Sequence, residues 1–183
     1  MKTNIFAAAA CLVALSLSAN TQARDNLSFS VGASTFALSQ NITNGYNDVD
    51  LTFTGLQLVG AMSVSDNVQA QLTIYGASES DDSDLTLSGN SIRMNLGQGF
   101  QKKGFKAYAT VGYFNESFEY FSSESDTISG FEFGGAIGYN FDAISLDYGI
   151  TIRGSAGYEK DGVWGAGNDV TTATGFLSLT GNF

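Results

Sequence analysis

Between Leu27 and Phe183 apolar and polar residues alternate with a period of two, in one stretch after another. Side chains of a β-strand point to opposite faces in turn, so this rhythm predicts strands with one apolar and one polar face. The last stretch shows it most plainly. Ala173, Gly175, Leu177, Leu179, Gly181 and Phe183 alternate with Thr174, Phe176, Ser178, Thr180 and Asn182. The first strand sets Leu27, Phe29, Val31 and Ala33 against Ser28, Ser30, Gly32 and Ser34. A second runs from about Val49 to Val64; its apolar parity moves from Leu51 and Phe53 to Leu56 and Leu58, which predicts a bulge near Thr54-Gly55.

Six more strands follow the same rule, the last being the stretch already described. Their apolar positions run Val68 to Ile74, Ile92 to Leu96, Phe105 to Tyr113, Phe131 to Phe141, Ile144 to Ile152 and Ala173 to Phe183. Polar loops are expected at Asn41–Asp48, Glu79–Asp84, Glu116–Ser129 and Gly157–Asp169. They alternate with short turns at Ser65–Asn67, Gln101–Gly104 and Asp142-Ala143. Eight strands of about ten residues, with long loops alternating with short turns, match the pattern of transmembrane barrels. The expected fold is therefore all-β: an eight-stranded antiparallel up-and-down transmembrane barrel. In a soluble sheet the final strand would be an exposed edge, whereas closure pairs it with the first.

Charge sharpens this picture. Arg93, Lys106, Glu132, Asp147 and Arg153 all fall on the polar parity of their strands and none on the apolar one. An eight-stranded barrel is just wide enough for side chains to fill, so these five are expected to form a packed interior charge network. A two-residue turn at Asp142-Ala143 would place Glu132 opposite Arg153 and Asp147 opposite Gly138. The cation for Asp147 would then come from elsewhere, from Lys106 or Arg93.

The start of the chain adds a location. Lys2, the apolar run Ile5–Leu17 and Thr21-Gln22-Ala23 read as a signal peptide over residues 1–23, leaving a barrel domain at 24–183. Cys11, the one cysteine, lies inside that signal, too early for a lipoprotein anchor. Without the signal the formal charge of -10 becomes -11, which argues against nucleic acid as a partner. No stretch is long and apolar enough for a membrane-spanning helix.

On these features, the chain resembles the small eight-stranded bacterial outer-membrane barrels, the OmpA transmembrane domain and the OmpX/Ail group. The resemblance rests on signal, alternation, loop pattern and the terminal Phe183. It implies a Gram-negative outer-membrane location, with lipid and lipopolysaccharide around the barrel and assembly machinery reading the strand that ends in Phe183. It also implies structural, adhesive or phage-binding roles, or weak conduction.

Chemistry is sparse. The chain has no histidine, so a Ser-His-Asp arrangement cannot be built. Glu132 with Asp147 is an acid–base pair in principle, but counter-ions inside the barrel is the expected reading. The acidic run Glu79, Asp81, Asp82, Asp84 lacks the ordered spacing of a calcium loop and is expected to be solvated. No metal, cofactor or catalytic residue is assigned. Phe118, Tyr120 and Phe121, with Trp164, are the candidate surface-loop contacts, weighed against a place in the interfacial aromatic girdle.

The expected function is non-enzymatic. A monomeric barrel would serve envelope structure and adhesin- or receptor-like contact with a host, phage or cell-surface ligand. The alternative is a narrow channel for ions or small solutes. A soluble lipid-carrying barrel of lipocalin type would instead place its apolar faces inward.

Overall fold

A computed structural model of the chain describes residues 27–43, 48–81, 85–120, 124–160 and 169–183. The expected signal peptide, Phe121 and Trp164 lie outside the described residues. Eight strands follow one another: β1 (Ser28–Thr43), β2 (Asp48–Ser65), β3 (Val68–Glu79), β4 (Thr86–Gln98), β5 (Gly104–Tyr120), β6 (Glu124–Asn140), β7 (Ile144–Arg153) and β8 (Asp169–Asn182). Each pairs antiparallel with its neighbours in sequence, and β8 pairs with β1 to close the barrel. Phe29 and Phe183 exchange backbone hydrogen bonds at 3.1 and 2.8 Å, which ties the start of β1 to the residue after β8.

Paired residues fix the geometry of that closure. Starting at Gln40 and stepping across each ladder leads through Thr172, Arg153, Glu132, Gly112, Arg93, Gln71 and Ala61 to Ser30, ten residues lower on β1. Eight strands with that stagger tilt by about 41° and enclose a backbone radius of about 8 Å. There is room for side chains and little else.

The outer face carries the apolar parity. Leu56, Ile92, Phe105, Phe131, Phe133, Ile152 and Leu179 are all at least half exposed. Aromatic residues mark both rims of this band, with Tyr113 and Phe131 at one and Phe105, Tyr139, Phe141 and Phe183 at the other. From Phe131 to Phe141 is about 33 Å along the strand, or about 25 Å along the axis at the derived tilt, the height of a bilayer's apolar band. The three short turns, the start of β1 and the end of β8 gather at the Phe141 rim. Asp66 in the first turn accepts from Lys102 Nζ at 3.1 Å and from the Gln101 N–H at 3.2 Å. Slight burial raises its carboxyl pKa, but those contacts outweigh it and hold the group below the usual carboxylate range.

Several sequence expectations need correction. The β1–β2 register runs unbroken through Phe36↔Gly55, so no bulge lies at Thr54-Gly55; the register shift occurs between Ser63 and Ser65 against β3. The parity change in β2 has another cause: the interior itself changes character. Toward the far rim Phe36, Leu38, Ile42, Phe53, Leu87, Phe114, Phe118 and Ile128 point inward and form an apolar cluster. The polar core is concentrated in the lower part, where it surrounds a smaller apolar cluster of Phe100, Tyr108, Ala136 and Phe176. The loops are also shorter than expected. β1 reaches Thr43, β5 reaches Tyr120 and β6 starts at Glu124, so most of Glu116–Ser129 is a strand hairpin standing above the band. After β7 a five-residue helix, α1 (Ala156–Lys160), packs against β6 and β8.

Candidate functional site

The lumen is where this chain's chemistry is concentrated. Each inward side chain has as neighbours the residues paired with it across the ladders, so the ladder paths also describe the interior. One path runs Arg153, Glu132, Gly112, Arg93. A second runs Lys106, Gly138, Asp147, then Ser178, Ser34 and Gln57 to Tyr75, Gly89 and Glu116. A glycine stands between Glu132 and Arg93 on the first path, and between Lys106 and Asp147 and between Tyr75 and Glu116 on the second.

That spacing sets the contacts. Arg93 Nε donates to Glu132 Oε1 at 2.6 Å and Nη2 to Oε2 at 3.2 Å, passing over Gly112. A Cβ on Gly112 would lie 2.9 Å from Arg93 Cγ and 3.0 Å from Glu132 Oε1. Lys106 Nζ donates to Asp147 Oδ2 at 2.8 Å and to Ser145 Oγ at 2.7 Å, and a Cβ on Gly138 would sit 2.2 Å from Asp147 Oδ1. Tyr75 donates to Glu116 Oε2 at 3.0 Å, and a Cβ on Gly89 would lie 2.7 Å from the Tyr75 hydroxyl oxygen. Glycine supplies the width that a barrel of this radius lacks.

Arg153 joins the two zones of the interior. It donates to Glu116 and, through Nη2, to the Tyr75 hydroxyl at 2.9 Å, and its Nε is 3.7 Å from Glu132 Oε2. Its guanidinium carbon lies 4.5, 5.2 and 5.8 Å from the ring centres of Phe114, Tyr75 and Phe36, a cation–π enclosure out of water. Tyr158 of α1 reaches into the barrel, fully buried, donates to Glu116 Oε1 and stacks on Phe114. Between the pairs, Asn95 donates to Gln69 and Gln71 and accepts from Thr110. Three cations, Arg93, Lys106 and Arg153, thus face three carboxylates, Glu116, Glu132 and Asp147, all nine-tenths or more buried.

The five charged residues expected inside are all buried in the lumen. Glu132 pairs with Arg153, and Asp147 with Gly138, in the register that the hairpin count gives. The nearest cation to Glu132 is Arg93, however, and the carboxylate gripped by Arg153 is Glu116. Glu116 was expected in a loop. Extending the even parity of Lys106, Tyr108 and Thr110 four residues past Gly112 finds it. Nothing in the pattern foretold Tyr158. Glu132 and Asp147 are each held by a cation, Arg93 and Lys106, as counter-ions inside the barrel. Phe118 is corrected: it is completely buried, packing edge-on against Phe53 and Tyr158, and offers nothing to a partner. The side chain of Tyr120 falls outside the described residues with Phe121 and Trp164. Of the acidic run, Glu79 is largely buried and its Oε2 accepts the Asp81 N–H at 2.7 Å, while Asp82 and Asp84 are outside the described residues.

No protein-family profile and no curated protein sequence matches the chain. Solved structures do. Ail, the attachment invasion locus protein of Yersinia pestis, superposes with a TM-score of 0.53 at 13% identity, over 84% of this chain and 98% of Ail. The outer membrane protein OprG of Pseudomonas aeruginosa gives 0.53 at 10% identity, over 85% of this chain and 95% of OprG. The N-terminal β-barrel domain of OprF from the same organism gives 0.51 at 12%, over 82% and 97%. The fold is that of the small eight-stranded outer-membrane barrels.

The glycine spacing yields a prediction. In micelles Gly138→Ala is expected to lower the unfolding free energy by about 1–3 kcal/mol, the range for overpacking a filled interior. Gly76→Ala is the control, because a Cβ there meets nothing within 4 Å; its effect should stay within about 0.5 kcal/mol. Equal effects at the two positions would mean that Gly138 does not make room for Lys106 and Asp147.

Proposed function

We propose that this chain is a non-enzymatic, monomeric barrel of a Gram-negative outer membrane, structural in its barrel and interactive at the surface above it. One observation carries the reading: the described part of the lumen is packed with side chains, and each of its three cations is held by a carboxylate. Cavities of only about 90 and 10 Å³ are found around Lys106 at the short-turn mouth. Farther up, Arg153, Glu116, Tyr75 and Tyr158 cross-link the interior under a lid of aromatic rings. A solute path would require this network to open, which disfavours the channel alternative.

Above the aromatic rim the strands continue as a stalk, and there the outer face becomes hydrophilic. Ser39, Asn41, Thr52, Ser78, Ser88, Asn115 and Thr127 point outward with Asp48, Asp50, Glu119 and Asp169. Among the side chains described on this stalk none that points outward is Lys or Arg, whereas Lys102 and Lys103 sit at the opposite mouth. Surface partners are therefore neutral or cationic. In this orientation the short turns face the periplasm, and assembly machinery reads β8 and the outward-facing ring of Phe183. Outer-leaflet lipopolysaccharide surrounds the Tyr113–Phe131 rim. The structural likeness to Ail, a protein named for attachment and invasion, extends to the fold and not to its partners.

Two measurements test this. An epitope tag inserted at Asp82 should be labelled on intact cells; labelling only after permeabilisation would reverse the orientation. Purified protein in planar bilayers should give no resolved conductance steps, and regular steps abolished by blocking the lumen would establish the channel instead.

A further inference from the structure

Among the described side chains, every lysine lies at the short-turn mouth. Lys102, Lys103 and Lys106 all line the cavity of about 90 Å³ there, and Asp142 is the one carboxylate among its lining residues. The turn between β4 and β5 is folded so as to bring them together. Gly99, at φ 86°, bends the chain over the mouth, and Phe100 tucks in against Tyr108 with ring centres 5.2 Å apart. The Gln101 carboxamide donates to the Ser63 carbonyl at 3.1 Å, and that of Asn140 to the Lys102 carbonyl at 3.1 Å. Ser28, Ser30 and Asn182 complete the wall from β1 and β8.

We infer that this cavity binds a phosphate group. The site lies at the end of the barrel opposite the stalk, goes beyond the surface partners proposed above, and needs only the barrel itself. Three observations select the occupant. The first is charge: three ammonium groups face one carboxylate, in a chain of formal net charge -10. Asp147, which holds Lys106, lines the smaller cavity behind. The second is that the donors are available. Lys106 commits two N–H bonds to Asp147 and Ser145, and its third has no described acceptor. Lys102 and Lys103 meet Asp66 and Asp142 at 3.1 Å, but the two lysine side chains are 77% and 61% exposed. Ion pairs so open to water are worth little, and both ammonium groups exchange them readily for a stronger anion. The third is shape. Donors converge from the β4–β5 turn, from Lys106 on β5 and from Ser28 and Ser30 on β1. A tetrahedral oxyanion accepts in all these directions, whereas a planar carboxylate does not. A water needs roughly 10–15 Å³, so about 90 Å³ holds one compact polyatomic ion.

The test uses the full barrel in dodecyl maltoside micelles, which contain no phosphate, followed by amide chemical shifts. Dispersed shifts of a folded β-barrel establish the fold before any ligand is added; a chain without them removes the barrel and this site with it. Sodium phosphate and dihexanoyl phosphatidylglycerol are then titrated separately, beside sodium chloride at matched ionic strength. Expected are saturable shifts at Ser28, Ser30, Lys103 and Asn182 with at least one of the two phosphates, and none of comparable size with chloride. A response to the lipid alone identifies a headgroup as the source, and a response to the inorganic ion identifies free phosphate. Lys102→Gln with Lys103→Gln should weaken the response by about tenfold or more, because each removes a hydrogen bond to a charged group. Asp142→Asn, which releases Lys103 and keeps every donor, should leave the response equal or stronger. No saturable response to either phosphate, an equal response to chloride, an unchanged response in the double variant, or a weaker one in Asp142→Asn would each overturn the proposal.

Discussion

A closed barrel of about 8 Å radius has no spare interior, and this chain places three cations and three carboxylates in contact with one another inside it. Burying one charge without a partner is among the larger penalties available to a single residue. Everything about the interior follows from satisfying that constraint. Each cation has a carboxylate within reach, and Gly112 and Gly138 clear the space through which Arg93 meets Glu132 and Lys106 meets Asp147. The stagger of ten residues then decides who meets whom. A different stagger would separate the pairs and leave glycines facing unrelated side chains.

The second consequence is a division of the barrel along its axis. Near the short turns the interior is mostly amides, hydroxyls and ion pairs around a small cluster of Phe100, Tyr108, Ala136 and Phe176, and the outside is apolar. Beyond the Tyr113–Phe131 rim the arrangement inverts, with Phe53, Phe114, Phe118 and Ile128 inside and Ser, Thr, Asn and Asp outside. That is the pattern of a barrel whose upper end stands in water. A water-exposed stalk needs an apolar core, whereas a lipid-embedded segment needs an apolar exterior. Arg153 sits where the two regimes meet, held by carboxylates on its polar side and aromatic rings on the other.

Strand number, closure and interior parity were legible because period-two alternation is long and regular from Val68 onward, and because Gly and Asp mark the short turns. The Glu132–Arg153 register followed from one two-residue turn. What escaped has a common cause. Alternation alone implies one rule, apolar outward, from end to end. Where the chain leaves the membrane the rule reverses, so Phe53 looked like a bulge, Phe118 like a surface contact, and Glu116 like a loop residue. Pairings such as Arg93 with Glu132 needed the stagger of the whole barrel, which no single hairpin contains. Tyr158 enters the lumen from a short helix that carries no alternation at all.

The central claim is that paired interior charges hold the barrel shut, and a double-mutant cycle at Arg153 and Glu116 tests it most directly. Arg153→Met, Glu116→Gln and the double variant would be unfolded by denaturant in micelles beside the parent. Each single change should lower stability by about 3–5 kcal/mol, since the survivor is a buried, uncompensated charge. The double variant should recover a large part of that loss, with a coupling of about 2 kcal/mol or more. Additive losses, with a coupling below about 0.5 kcal/mol, would contradict the claim and show that the interior is held by packing alone.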